Sequence, residues 1–231
     1  MAVVNSRPLV SVALALWAVF AVGCSTFYPP DVHVTAVPRP PAVDMNALAC
    51  QPVLMFSVVA PPSIQGLGPT ISYALVSVLL SGSPPIWAVP TTEMLNRLGD
   101  EGLGGEYGDM LSSFTRSGIL AREPLRRIGV ALRSRYALLP GLAEFGQTLT
   151  DKFEFEGLKL VRTRISTLRL WLQLWDTQTG HILWQSTGEV TLASHIARAQ
   201  ESVSLDELAR ILWSQMIVDE LIGKNSTWRC P

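Results

Sequence analysis

The chain has 231 residues, of which 48% are hydrophobic and 16% are charged, and its formal net charge is −1. The seven tryptophans and the low content of charged residues exclude an intrinsically disordered protein. A net charge near zero provides no field that would attract nucleic acid, so we expect no nucleic-acid partner. A chain of this length buries one hydrophobic core and forms one or two domains.

The N-terminus has the organisation of a secretory signal. Arg7 is the only charged residue before position 24, and the stretch from Leu9 to Val22 is apolar apart from Ser11. This stretch has the length of a signal-peptide core and is too short to span a membrane comfortably. Beyond it we find no apolar run of about 18 residues, so we expect any membrane attachment to come from the N-terminus.

The small residues Ala21-Val22-Gly23 and the following Cys24 resemble a bacterial lipobox. The resemblance implies cleavage before Cys24 and attachment of acyl chains such as palmitate, with residues 1–23 as the discarded lipoprotein signal peptide. The lipobox prefers Leu where this chain has Ala21. An ordinary signal peptide with a coincidental cysteine is the alternative. In lipoproteins of this kind, Asp after the cysteine indicates inner-membrane retention, so Ser25 favours the periplasmic face of the outer membrane.

Residues 24–49 are predicted to be the lipidated cysteine and a proline-rich tether. Prolines exclude a regular helix or a central strand and favour extended, polyproline-like backbone. The prolines of this segment are Pro29, Pro30, Pro38, Pro40 and Pro41. At about 3.1 Å per residue, such a tether holds a domain several tens of ångströms from the membrane. The folded domain is then expected to cover residues 50–231.

Cys50 and Cys230 are the cysteines that remain once Cys24 carries lipid. Because the periplasm is oxidising, two cysteines there usually pair. We therefore predict a disulfide between Cys50 and Cys230 that ties the two ends of the domain together. Two free, buried thiols are the alternative.

Hydrophobic periodicity and turn residues predict the element order β-α-β-α-α-β-β-β-α. The predicted strands are 52–60, 86–90, 135–147, 168–175 and 181–192, the third being interrupted at Pro140-Gly141. The predicted helices begin at Pro69, Glu106, Pro124 and, after a capping box, Ser204, with a short helical piece at 92–98. The glycine-rich stretch 99–109 is interpreted as a flexible connector. The order predicts a single α/β domain, in which helices pack on a mixed sheet that ends in an antiparallel hairpin.

The strand 168–175 shows the clearest alternation. Its leucines share one face, and Arg169, Trp171 and Trp175 share the other. If helices covered only the leucine face, the two tryptophans would form an exposed partner-binding patch. If a second helix layer or another subunit covered them, they would be core residues. Both interpretations remain open.

The hairpin sequence Leu172–Val190 resembles a group of periplasmic and outer-membrane lipoproteins with an anticodon-binding-like α/β domain. This group includes the curli-secretion lipoprotein, the TolB N-terminal domain and the lipoprotein activators of penicillin-binding proteins. The residues that carry the resemblance are Asp176, Thr179, Gly180 and Trp184. We assign them structural roles: Asp176 and Thr179 bond backbone amides in the turn, Gly180 takes positive φ, and Trp184 covers the adjacent face.

The segment 151–164 departs from a plain hairpin domain. Phe153 and Phe155 alternate with charged residues, as in an amphipathic strand. We favour a surface β-extension or partner edge, in which both phenylalanines bind a partner. An irregular loop and membrane insertion are the alternatives, and the segment is too short for two membrane strands of about 9–11 residues each.

The sequence shows no catalytic constellation. Its histidines, His33, His181 and His195, lack the spacing of a zinc site, and no nucleophile-elbow, metalloprotease or phosphate-loop motif occurs. We therefore expect no enzymatic activity, no metal and no cofactor besides the lipid on Cys24. The expected function is that of an outer-membrane-anchored binding or scaffold component of an envelope assembly, serving secretion, surface-polymer export or cell-wall synthesis. A ring-forming export component and an uncharacterised periplasmic enzyme are the alternatives.

Overall fold

The computed structural model describes residues 30–36, 45–82, 85–154, 159–195 and 204–222. The strands are β1 (Asp31–Ala36), β2 (Val53–Met55), β3 (Ala88–Val89), β4 (Tyr136–Glu154), β5 (Lys159–Asp176) and β6 (His181–His195). The α-helices are α1 (Met45–Cys50), α2 (Gly68–Ser81), α3 (Thr91–Asp100), α4 (Gly104–Ser117), α5 (Arg122–Ala131) and α6 (Leu205–Ser214). A 3₁₀ helix, Pro62–Leu67, precedes α2, and a π-helical segment, Gln215–Ile222, continues α6.

The strands form one mixed sheet with the order β1-β6-β5-β4-β2-β3. Strands β2 and β3 run parallel to each other, and β2 runs parallel to β4. Strands β4, β5, β6 and β1 are antiparallel neighbours. This topology confirms the predicted α/β domain with an antiparallel hairpin, and it divides the sheet into a parallel half and an antiparallel half.

One face of the sheet packs against α2 and α6. The alternating leucines of β5 are all buried in this layer: Leu168, Leu170, Leu172 and Leu174. The predicted apolar face of α2 is also buried: Ile71, Ala74, Leu75, Val78 and Leu79. Trp213 of α6 donates its indole N–H to the carbonyl oxygen of Ile71 at 3.2 Å, which links the two helices.

The other face is covered by a second layer, α3, α4 and α5, over the parallel half and the adjoining end of β5. Leu54, Phe56, Ala137 and Leu139 of the sheet region meet buried side chains of these helices. The helix residues in this layer include Met94, Leu98, Tyr107, Met110, Phe114, Leu125 and Ile128. A parallel sheet requires cover on both faces, and the three helices between β3 and β4 supply the second cover.

Two elements lie within the segment that the sequence assigned to the tether. Strand β1 pairs with β6 over its whole length, with Asp31 opposite Thr191, and α1 ends at Cys50. The tether expectation needs correction here, because 31–36 contains no proline and alternates apolar with polar residues. Val32 and Val34 pack against the core, and as an edge strand β1 requires a partner on one side only.

Strand β4 runs without interruption through Pro140-Gly141, where the sequence predicted a break. The carbonyl oxygen of Pro140 accepts a hydrogen bond from Val59 N at 3.0 Å. Because the nitrogen and the carbonyl oxygen of one strand residue point to the same side, the Pro140 nitrogen also faces Val59, where β2 has already ended. Proline is tolerated in a strand where no ladder donor is needed. A Cβ at Gly141 would lie 1.7 Å from Cε2 of Trp171, so the glycine makes room for the indole.

The glycine-rich stretch 99–109 is largely helical, which corrects the connector interpretation. Helix α3 continues to Asp100 and α4 begins at Gly104, so that only three residues connect them, with Gly102 at φ 70°.

The helical run Pro62–Ser81 is long enough and apolar enough to cross a membrane, by length and composition alone, although the sequence analysis found no such run. Its buried face packs in the core described above.

Candidate partner-binding surface

The β4–β5 hairpin extends beyond the body of the sheet as an arm. Strand β4 pairs with β2 only from Tyr136 to Leu138, followed by a single bridge between Val59 and Gly141. Its pairing with β5 continues much further, to Glu154 opposite Lys159. The described residues of the segment favoured as a surface β-extension, 151–154 and 159–164, are therefore part of two long paired strands.

The outer side of this arm is an open strand edge. From Ala143 to Glu154, which we call the β4 edge, β4 has β5 on one side and no second strand partner among the described residues. Alternate residues of such an edge direct their backbone N–H and C=O groups outward, ready to pair with another strand. A β-bulge between Leu142 and Glu144 marks where the edge begins. Bulges bend the strand that carries them and increase its local twist.

A row of three charged residues and one histidine crosses the antiparallel half on the face that α3–α5 leave open. His33, Glu189, Arg169 and Glu144 are register partners on β1, β6, β5 and β4. Arg169 Nε lies 2.6 Å from Glu189 Oε2, and its Nη1 lies 2.8 Å from Glu144 Oε2. We call these four residues the charged row.

The electrostatics of the row are those of a solvated surface. The hydrogen bond with Glu189, together with the charges of Glu189 and Glu144, raises the pKa of Arg169, so the guanidinium stays charged. All of these side chains are exposed to solvent, where ion pairs contribute little to folding stability. Threonines continue the polar face beside the row, and Thr167 Oγ1 and Thr191 Oγ1 lie 3.3 Å apart. The row is thus better suited to orienting a partner than to stabilising the fold.

The two tryptophans beside Arg169 lie at the boundary of the second helix layer. Trp175 is 3% exposed and belongs to the core under that layer, so its side chain is not part of an exposed patch. Trp171 is half-buried, and its ring centroid lies 5.9 Å from that of Phe114 on α4. Of the three residues proposed from the sequence, Arg169 is exposed, whereas α4 covers the end of the face where the two tryptophans lie.

The remaining residues proposed for binding or covalent modification fall on or beyond the ends of the described segments. Phe153 lies on β4 opposite Leu160, and Phe155 lies outside the described residues. Cys24 and Cys230 also lie outside them, so lipidation and the Cys50–Cys230 disulfide stay predictions.

The β5–β6 turn has a structural arrangement. Asp176 Oδ1 accepts hydrogen bonds from the backbone N–H of Gln178 at 2.8 Å and of Thr179 at 3.0 Å, and Gly180 has φ 72°. Asp176 Oδ2 accepts a hydrogen bond from Arg135 Nε at 3.0 Å. Burial opposes ionisation of Asp176, but the two amides and Arg135 outweigh it and lower the pKa of this carboxyl below its ordinary value. Trp184, from the same motif, is buried against the opposite helix layer.

Metal-binding clusters and cavities are the other candidate sites in the described part of the chain. This part contains no group of three or more His, Cys, Asp or Glu side chains placed to hold a metal ion. An open cavity of about 570 Å³ between α4 and α5 is lined by Glu106, Asp109 and Arg127, among others. Its Glu106 is already paired with Arg127 at 2.6 Å. The β4 edge and the charged row are the candidate binding features of the described residues.

No family model and no curated protein matches the sequence. Similar solved structures include a PelC dodecamer from Paraburkholderia phytofirmans, with 14% identity and a TM-score of 0.45 over 81% of this chain and 95% of that one. The lipoprotein GNA1162 from Neisseria meningitidis matches with 14% identity and a TM-score of 0.38, over 72% and 95% of the two chains. The LpoB C-terminal domain from Salmonella enterica matches with 16% identity and a TM-score of 0.34, over 61% and 82%. At these identities and TM-scores the likenesses establish no function for this chain.

Proposed function

We propose that this chain is a lipid-anchored protein of the periplasmic face of the outer membrane that binds a protein partner of an envelope assembly and catalyses no reaction. Cys24 carries the lipid, and the folded domain presents the binding surface. The observation that carries the proposal is the β4 edge, a long strand edge with no second strand partner in the described structure, beside the exposed charged row.

An open strand edge of this length favours pairing with another strand. Exposed backbone groups on a long edge pair readily with another strand, so folded proteins usually shorten, charge or cover their edges. An extended segment of a partner would add a strand to β4, with main-chain hydrogen bonds supplying affinity. Glu144 lies at the start of the edge and belongs to the charged row, which would select the partner and fix its register.

Photo-crosslinking of the native lipoprotein in its own envelope tests the proposal. A photoreactive residue in place of Leu149, which is 57% exposed on the β4 edge, should yield a specific adduct with a partner. The matched control replaces Val130, which is 68% exposed on α5. Adducts of equal yield from both positions, or none from position 149, would remove the β4 edge as a binding site.

The lipid anchor is tested by a separate experiment. The Cys24→Ser variant should leave the membrane fraction, because stable attachment needs more than one acyl chain.

A ring-forming export component is the second candidate. The sheet is open, and β1 and β3 form its two ends, so two different edges are available for head-to-tail pairing between copies. Analytical ultracentrifugation of the unlipidated chain separates the two proposals. A monomer at high concentration excludes the ring, whereas a defined oligomer whose formation depends on the β1 or β3 edge supports it.

A further inference from the structure

The position of β1 leaves a much shorter tether than the sequence suggested. Because the folded sheet begins at Asp31, only residues 25–30 separate it from Cys24. The seven Cα–Cα steps from Cys24 to Asp31 span at most about 25 Å when the chain is fully extended. The N-terminal end of β1 is therefore within about 25 Å of a bilayer that holds the acyl chains of Cys24.

The strand register shows which end of the sheet this is. Asp31 lies opposite Thr191, Thr191 opposite Thr167, and Thr167 opposite Gly146, which gives one line across the antiparallel half. From this line β4 and β5 continue in the direction from which the tether enters β1, as far as Glu154. Eight residues of strand from Gly146 to Glu154 span about 27 Å. The arm thus extends past the start of β1 by more than the tether can reach.

We infer that the outer end of the arm, formed by Asp151–Glu154 and Lys159–Arg162, contacts the lipid surface to which the chain is anchored, which leaves residues 143–150 of the β4 edge for a partner strand. The inference rests on the proposed lipid anchor, since the length of the tether is measured from Cys24. A domain held by six residues at this end has its arm toward the bilayer, whether the strands stand upright or lie along the surface.

The composition of the arm end suits a lipid surface. Phe153 and Leu160 are register partners, and the same two short segments contain three basic residues, Lys152, Lys159 and Arg162, and two acidic ones, Asp151 and Glu154. Aromatic and aliphatic residues beside lysine and arginine are typical of segments that lie in the headgroup region. The tether length and the strand register place the arm end near the bilayer, and its residue composition makes contact with lipid favourable.

The test measures depth on the full-length lipidated chain in vesicles of phosphatidylethanolamine and phosphatidylglycerol. An environment-sensitive fluorescent amino acid replaces Leu160 at the arm end, Leu149 nearer the body, or Ile182, which is 40% exposed and pairs with Trp175 at the far end of the sheet. Lipids with a headgroup nitroxide should quench position 160 most, position 149 less and position 182 least. We expect about a fivefold difference between 160 and 182, because quenching requires contact with the interface.

Flotation of the same samples separates the anchor from the orientation. If the protein does not float with the vesicles, the lipid anchor fails and the inference fails with it. If it floats and positions 160 and 182 are quenched equally, the anchor stands and the inferred contact is wrong, which would favour a protein partner at the arm end. A Gly-Ser insert of about 20 residues after Ser25 adds about 25 Å of reach, so it should keep flotation and lower quenching at 160 toward that at 182. Undiminished quenching with the insert would overturn the argument from the tether.

Discussion

The two halves of the sheet differ in how they are covered, although β4 runs through both. The parallel half lies between two helix layers, and its strand residues Leu54, Ala137 and Leu139 are buried against α3–α5. The antiparallel half has helices on one face and the charged row on the other, and its arm extends beyond the helices. One strand thus contributes to the core at its start and to a surface at its end.

Because of this difference, the residues that stabilise the fold lie apart from the residues that are available to bind a partner. Burial of apolar area is the main source of folding free energy, and it occurs on both faces of the parallel half but on one face of the antiparallel half. Exposed ion pairs and an open edge add little to stability. Substitutions in the parallel half should therefore unfold the protein, and substitutions in the arm should alter binding while the fold persists.

The sharpest test of this division compares two leucines on β4. Leu139 is fully buried and Leu149 is 57% exposed. Leu139→Ala should lower the free energy of unfolding by about 2–5 kcal/mol, since it removes a buried side chain and leaves a cavity. Leu149→Ala should change it by about 0.5 kcal/mol or less. Urea unfolding measures both, and similar losses at the two positions would show that the arm is part of the cooperative core.

The boundary between the halves can be tested at Gly141. Its added Cβ would overlap the rigid Trp171 ring, which must then move away from Phe114. Gly141→Ala should therefore lower the free energy of unfolding by about 1–3 kcal/mol and change the near-ultraviolet circular dichroism. Gly146→Ala, on the same strand with open space around it, is the matched control and should cost nothing. An unperturbed Gly141→Ala would mean that the indole has no fixed place over the glycine.

Much of the parallel half and the hairpin could be predicted from the sequence because local patterns determine them. The leucine alternation of 168–175 predicted the β5–β6 hairpin, and the apolar face of α2 was predicted residue by residue. In the capping box, the Ser204 hydroxyl accepts a hydrogen bond from Glu207 N, as expected at the start of a helix.

The features that were not predicted depend on contacts between residues that are distant in the sequence. Strand β1 becomes a strand only because β6, more than 140 residues later, offers an edge. Pro140-Gly141 has the local signature of a break, which the early end of β2 and the Trp171 ring override. The burial of Trp175 requires knowing which face α3–α5 cover. The charged row requires the register of four strands, so only its Arg169 was identified beforehand.

A smaller effect is expected at the β5–β6 turn, which belongs to the body. Asp176→Asn keeps an acceptor for the turn amides but loses the charge opposite Arg135, and it should cost about 1 kcal/mol at neutral pH. Because the folded state lowers the pKa of Asp176, its contribution is present above the ordinary value of 3.8 and is lost as pH falls through the folded pKa. The stability difference between the two proteins should therefore be constant above about pH 5 and shrink below 3.8. A difference that stays constant into the acid range would contradict the pKa shift.

The smallest effect on stability and a clear effect on binding are expected at Arg169. Arg169→Gln removes both ion pairs of the charged row and should leave urea unfolding unchanged, because every side chain involved is solvated. The yield of the partner adduct from position 149 should nevertheless fall about three- to tenfold, since surface charges govern encounter and register. Arg97→Gln is the matched control, because Arg97 also makes an exposed ion pair, with Glu93 on α3, away from the row. If both variants lowered the yield equally, the row would have no special part in recognition. If only Arg169→Gln lowered it, and added salt reproduced the loss in the wild-type protein, the antiparallel half would be a recognition surface whose charges the fold does not need.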